Sequence, residues 1–150
     1  MQVFVLMFLL LVSACANSGE RLPAVENLQR LSVKALADNK PIVLLFTAEH
    51  CEYCEKLKEE IIYPMLISPE SHLSSLVREV DIESQLDMVN FEGSTLTYST
   101  FAKNENVFVT PTVLIYQPGT KEVSQRIVGY NGSDFYISRL ETAIQLSKAK

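Results

Sequence analysis

Basic residues are in short supply: 13 Lys and Arg stand against 18 Asp and Glu, giving a formal net charge of -5 and an isoelectric point near 5.0. Nucleic acid and anionic lipid both reward a basic surface, so neither is an expected partner. Cysteine is sparse as well. The 3 present include a single Cys-x-x-Cys pair, Cys51 and Cys54, with no second such pair and no methionine cluster nearby to complete a metal shell. No repeat or low-complexity segment occurs, and 150 residues with 47% hydrophobic content call for no more than one packed domain. The apolar N-terminal run Val3 to Val12 is too short to span a bilayer as a helix.

What is present centres on Thr47-Ala48-Glu49-His50-Cys51-Glu52-Tyr53-Cys54-Glu55-Lys56. The apolar run Ile42 to Phe46 before it is strand-like, and the pattern through Leu57, Ile61 and Ile62 after it is helical, so the cysteines fall at a strand-to-helix turn. Free backbone N–H groups and the dipole at a helix N-terminus favour a thiolate, the nucleophilic form of cysteine. Cys51 occupies that position. Cys54, one turn on, is placed to form a disulfide with Cys51 or to resolve a mixed disulfide made by it. Thiol–disulfide chemistry is the reading this pattern favours; an inert structural disulfide and a metal site are the alternatives. His50 beside Cys51 would support a thiolate when protonated, or is an exposed loop residue without a chemical role. Tyr53 is expected to pack on the surface against the second helix, with a substrate contact as the alternative.

Residues 1–14 have the look of a signal segment, and Val12-Ser13-Ala14-Cys15 resembles the lipobox of bacterial lipoproteins, in which the new N-terminal cysteine is lipidated. Lipidation at Cys15 accounts for the odd cysteine. No Lys or Arg precedes the apolar run, which keeps an ordinary cleaved signal and an uncleaved anchor as alternatives. Residues 15–22 read as a tether and 23–150 as the folded domain. Along that domain the expected elements are a helix opening at Pro23 through Val25, Leu28, Leu31 and Leu36, the motif strand, and a motif helix to about Tyr63, bent or stopped by Pro64. A short helix from Ser68-Pro69-Glu70 through Leu73 and Leu76 and a strand from Val77 to Ile82 follow. Residues 83–97 show no periodicity and read as a long loop or small insertion. Then come a helix from Tyr98 to Asn104 with Tyr98 and Phe101 inward, a β-rich run from Val107 to Tyr116 with Pro111 inside it, and a turn at Pro118-Gly119. A return strand from Glu122 to Val128 leads to a final helix capped by Ser133, carrying Phe135, Ile137, Leu140, Ile144 and Leu146.

Strand-CxxC-helix, a Thr-Pro opening a β-hairpin, Gly129 after it and a terminal helix occur in the order that marks thioredoxin-fold proteins, which this chain resembles. The Asn39-to-Val43 stretch, Cys51-Glu52-Tyr53-Cys54, Phe91-Glu92-Gly93 and Gly129-Tyr130 are most similar to the periplasmic SoxW and DsbD C-terminal-domain kind. The resemblance implies an α/β thioredoxin-like fold, a central mixed sheet flanked by helices. It implies Cys51 as the attacking and Cys54 as the resolving cysteine, with Thr110-Pro111 a cis-proline site facing them and, with His50, contacting substrate. It further implies an extracytoplasmic, monomeric protein-disulfide reductase without a cofactor or metal, held to the membrane only by its lipid. Disulfide-containing proteins would be its substrates and a DsbD-like membrane reductase its electron donor. Two departures stand out. His50 replaces the Trp that usually precedes the first cysteine, and Leu45 falls where the family has a buried acid, leaving water or Glu49 to take the Cys54 proton. Glu49, Glu52 and Glu55 disfavour a thiolate by like charge, which favours a reductase or isomerase-like role over an oxidase. Copper binding or delivery through His50, Cys51 and Cys54, or a redox-inert binding module on the same fold, are the competing readings.

Overall fold

The computed structural model describes residues 21–68 and 75–148. Strand β1 (Ile42–Thr47) runs between a parallel β2 (Leu76–Asp81) and an antiparallel β5 (Thr112–Tyr116), and β6 (Val123–Val128) lies outside β5. With neighbours on both edges and helices on both faces, every residue of β1 is buried, which explains its unbroken apolar run. Side chains alternate between two layers. Val43, Leu45, Val113 and Ile115 face α2 (Glu52–Leu57), the π-turn Lys58–Ile62 and α5 (Ser133–Lys148), meeting Leu57, Ile61, Leu140 and Ile144. Leu44, Phe46, Leu114 and Tyr116 face α1 (Leu28–Asp38) and α4 (Tyr98–Asn104), where Phe46 stacks on Phe101 at 6.1 Å. Each fully buried leucine or phenylalanine adds roughly 1.5–3 kcal/mol. The mixed sheet flanked by helices is the α/β thioredoxin-like architecture expected from the sequence.

Several elements differ from expectation. Helix α1 starts at Leu28, not Pro23, because Asn27 caps it, its side chain accepting the Arg30 N–H at 2.8 Å. The residues before it run extended beside β2, with Glu79 N–H donating to Pro23 O and Val25 N–H to Glu79 O. Leu36 is exposed. The motif helix does not stop at Pro64 but passes into α3 (Tyr63–Ile67). Proline has no N–H and crowds the carbonyl four residues back; the π-turn just before it, with Tyr63 N–H on Lys58 O, opens the helix where that clash would fall. Leu76 belongs to β2 rather than to a helix.

Residues 83–97 are not a plain loop: β3 (Asp87–Val89) and β4 (Thr95–Thr97) form a hairpin that buries Met88. Asn90 Oδ1 accepts the Glu92 and Ser94 N–H groups in its turn, and Gly93 takes a φ of 84 against the side chain of Gln29. Pro111 stands before β5, not inside a strand. In α5 the core stripe is Tyr136, Leu140, Ala143, Ile144 and Ser147, while Phe135, Ile137 and Leu146 face outward. Tyr98 and Phe101 point inward as expected. The signal segment 1–14, Cys15 and most of the tether, and the helix start at Pro69 through Leu73 lie outside the described residues.

Candidate active site

The site forms where β1 gives way to α2. His50 takes a left-handed φ of 58, turning the chain so that Cys51 becomes the extended N-cap of α2. A sulfur here does what a Ser or Asp oxygen does at other helix starts: Cys51 Sγ accepts the Cys54 N–H at 3.2 Å. The turn is pinned to the end of β2, with Ile82 N–H on Thr47 O and Glu49 N–H on the Glu83 carboxylate, both 2.9 Å. Cys51 and Cys54 are joined as a disulfide with Cα atoms 5.2 Å apart.

The opposite wall is the segment before β5. Thr110-Pro111 is a cis bond, and the Thr110 hydroxyl donates to Cys51 Sγ at 3.4 Å. Pro111 O accepts the Gly129 N–H at 2.8 Å, so the loop after β6 is fastened to the same wall. Gly129 has a φ of 77, a conformation that costs glycine little. In the reduced protein Cys51 would therefore face two neutral donors, the Cys54 amide and the Thr110 hydroxyl, both of which favour its anionic form.

Behind the motif the surroundings change. Cys54 is fully buried, and one helical turn on Lys58 is nearly so, its Nζ 2.7 Å from Glu55 and 3.2 Å from Glu79. Glu79 lies opposite Leu45 in the β1–β2 register and also accepts the Thr47 hydroxyl at 2.9 Å. Burial works to lower the Lys58 pKa, but its bonds to Glu55 and Glu79 prevail and hold the ammonium above its ordinary value. Sequence reasoning missed this network. Its signals were a lysine on the inward face of the motif helix and an acid on β2 at the position level with Leu45. A second tie joins the helix to the loop after β6: Tyr130 donates to the Glu60 carboxylate and meets Tyr136 edge-on at 5.2 Å. Burial and that bond push the Tyr130 phenol up to about 12.

Of the expected site residues, Cys51, Cys54, Thr110 and Pro111 come together. The His50 ring is 90% exposed and approaches Glu49 at 3.4 Å. Tyr53 is exposed beneath Lys56, whose Nζ sits 5.6 Å from the ring centre, instead of packing on a neighbouring helix. The motif is also less one-sidedly acidic than its letters suggest, because Lys56 pairs with Glu52 at 2.8 Å and Lys58 with Glu55. The bond to Lys56 lowers the Glu52 pKa. Among the described residues no group of three or more His, Cys, Asp or Glu is arranged to hold a metal ion, and no helix is long and apolar enough to cross a membrane.

A family model for a thioredoxin-like domain matches residues 28–144. No curated protein matches the chain in sequence. Among solved structures, a thioredoxin-fold protein from Helicobacter pylori is 19% identical with a TM-score of 0.57, covering 72% of this chain and 71% of its own. A thioredoxin from Thermus thermophilus is 21% identical at a TM-score of 0.54, covering 82% and 87%. The periplasmic thioredoxin SoxS from Paracoccus pantotrophus is 20% identical at 0.50, covering 72% and 99%. At these identities the likeness is one of fold.

Proposed function

Because the chain belongs to the thioredoxin-like family and carries a disulfide-bonded Cys51–Cys54 pair at the head of its motif helix, we propose that it reduces disulfide bonds in other proteins outside the cytoplasm. The observation that carries the reading is Cys51 itself: a half-buried helix-cap sulfur, touched by Thr110 and paired with a buried partner. In the reduced protein the Cys51 thiolate attacks one sulfur of a substrate disulfide, and the other sulfur leaves as a thiolate that takes up a proton. Cys54, once deprotonated, attacks Cys51 in the resulting mixed disulfide, expelling the second substrate sulfur and closing the Cys51–Cys54 bond. Two electrons pass from the pair to the substrate, and no cofactor enters the exchange.

Thr110 and Pro111 form the wall along which an extended substrate segment lies, and the exposed His50 borders the entrance. Strong oxidants depend on a greatly stabilised thiolate. The two hydrogen-bond donors to Cys51 are neutral and Glu49 stands two residues before it, which supports reduction as the direction. Working in an oxidising compartment, the protein needs electrons from a membrane thiol reductase of the DsbD kind. It acts as a monomer, anchored by lipid at Cys15. Mass spectrometry of the mature N-terminus tests the anchor: a lipid-modified Cys15 is expected, and an unmodified terminus elsewhere would remove it. For the reaction, the reduced chain should reduce insulin disulfides, while Cys54→Ser accumulates mixed disulfides through Cys51. Absence of both reduction and trapping would overturn the reading.

A further inference from the structure

The closing step of the exchange leaves a proton to be placed. Cys54 attacks as a thiolate, yet its side chain is fully buried, and burial disfavours the charged form. The step therefore needs a proton acceptor inside the protein. Leu45, on the strand beneath the motif helix, is apolar and offers none. Glu49 is 76% exposed and turned toward His50, and Glu55 is 62% exposed. Lys58 and Glu79 are the enclosed pair, at 11% and 22%.

Lys58 follows Cys54 by four residues, and its backbone N–H donates to Cys54 O. Both side chains are buried, and at this spacing their Cβ atoms lie about 5–6 Å apart, within the reach of a lysine arm. On its far side Lys58 Nζ donates to Glu79 Oε1 at 3.2 Å, an oxygen that also accepts the Thr47 hydroxyl at 2.9 Å. Glu79 is thus held from the motif helix by Lys58 and from β1 by Thr47, on the sheet face it shares with Leu45. It also lines a cavity of about 370 Å3 that opens beside the motif turn at Ala48 and Glu49. The other titratable groups on that cavity are Glu55, Asp81 and Tyr98; the Asp81 carboxylate accepts the Glu83 N–H, and the Tyr98 hydroxyl donates to Val25 O. Glu55 and Glu79 share the Lys58 ammonium, so the three together carry one excess negative charge and have room for a proton.

We propose that Lys58 and Glu79 form a relay that removes the Cys54 proton while the mixed disulfide on Cys51 resolves, which rests on the reading of Cys51–Cys54 as a thiol–disulfide exchange pair. The Cys54 S–H bond breaks as its proton passes to Lys58 Nζ, and an Nζ proton crosses the existing bond to the Glu79 carboxylate. Lys58 thus starts and ends as an ammonium. The electron pair left on the Cys54 sulfur forms the bond to Cys51, and the substrate sulfur leaves with the pair of the broken mixed disulfide. Glu79, now a neutral carboxylic acid, gives its proton to solvent through the cavity it lines. Glu79 acts through Lys58, and Thr47 holds its carboxylate in place.

The test mixes the reduced full chain with an equimolar amount of the aromatic disulfide dithionitrobenzoate and follows the release of coloured thiolate. A first phase reports attack by Cys51, and a second reports resolution by Cys54, so one trace gives both steps. Glu79→Gln should slow the second phase about a hundredfold at neutral pH, the scale of a lost proton acceptor, while the first changes by less than about threefold. The slowed phase should then climb by about tenfold per pH unit as hydroxide takes over the proton, a steeper rise than in the natural protein. Glu79→Asp should recover part of the rate. Lys58→Arg keeps a cation for both carboxylates, but a guanidinium does not give up its proton, so it should slow the second phase as Glu79→Gln does. Because the readout is the ratio of two phases within one variant, a partly unfolded sample does not mimic it. A second phase unchanged in Glu79→Gln, an equal slowing of both phases, a natural rate in Lys58→Arg, or a Glu55→Gln variant as slow as Glu79→Gln would each overturn the relay. If the natural protein releases no thiolate at all, the exchange reading falls and the relay with it, whereas two normal phases that ignore Glu79 and Lys58 remove the relay alone.

Discussion

Cys51 and Cys54 are three residues apart in sequence and belong to different regions of the molecule. Cys51 sits on the open side, half-buried, at a helix cap with neutral donors and the Thr110-Pro111 wall around it. Cys54 sits on the closed side, fully buried over the layer of Leu57 and Ile61, with the Lys58–Glu79–Thr47 network one turn on. A single turn of helix thus separates a partly exposed sulfur from a fully buried one. The difference in role that we propose rests on the difference in surroundings, since the two side chains are chemically identical. Changes on the closed side should cost stability and leave the order of reactivity intact, and changes on the open side should do the reverse.

The largest effect is expected at Leu57, at 0% exposure on the buried face of the motif helix. Leu57→Ala leaves a cavity there and should lower unfolding free energy by about 2–5 kcal/mol, as read by denaturant titration. Cys51 should still outpace Cys54 in alkylation of the variant while it remains folded. Lost selectivity at unchanged stability would break the comparison.

Next is Lys58. Lys58→Met removes the partner of Glu79 while Thr47 still bonds it, so a loss of about 1–3 kcal/mol is expected at neutral pH. The pH dependence sharpens the assignment. Lys58 holds its proton more tightly folded than unfolded, so its contribution is complete below the ordinary lysine value of about 10.4 and fades as pH rises through its higher folded value. The stability gap between the natural protein and Lys58→Met should narrow above about pH 10.4. A gap that is flat across that range would mean that packing of the aliphatic stem, not the ion pairs, carries the effect.

How far the sequence foretold these two sides differs in the same way. The open side was legible because its parts are local or punctuated: a Cys-x-x-Cys after an apolar strand, a Thr-Pro before a β-rich run, Gly129 after the hairpin. Those signals depend on residue type at fixed spacing. The closed side depends on partners far apart in sequence. Nothing in Lys58 alone says that it turns inward, because the partner that makes burial tolerable, Glu79, comes from another element and is matched to Leu45 only through strand register. Boundaries failed for related reasons. Asn27 overrode Pro23 as the start of α1, and the π-turn let the motif helix run through Pro64. The β3–β4 hairpin escaped notice because strands this short leave little room for a period, and Met88 alone supplies its buried side chain. In α5 the pattern of large apolar residues chose Phe135 and Leu146, whereas the core chose Tyr136 and Ala143.

On the open side, Thr110→Val keeps the shape of the wall and deletes the hydroxyl that Cys51 Sγ accepts at 3.4 Å. Alkylation of reduced Cys51 at neutral pH should slow by about three- to tenfold, with unfolding free energy changed by less than about 1 kcal/mol. An unchanged rate would show that the helix N-terminus alone sets the reactivity of this sulfur.

The central claim, that one turn of helix divides an attacking sulfur from a resolving one, is tested most directly by the separate alkylation rates of the two cysteines in the reduced natural protein. At neutral pH, limited reaction with iodoacetamide followed by peptide mass spectrometry should find Cys51 modified at least about ten times faster than Cys54. Equal rates, or Cys54 reacting first, would contradict the account.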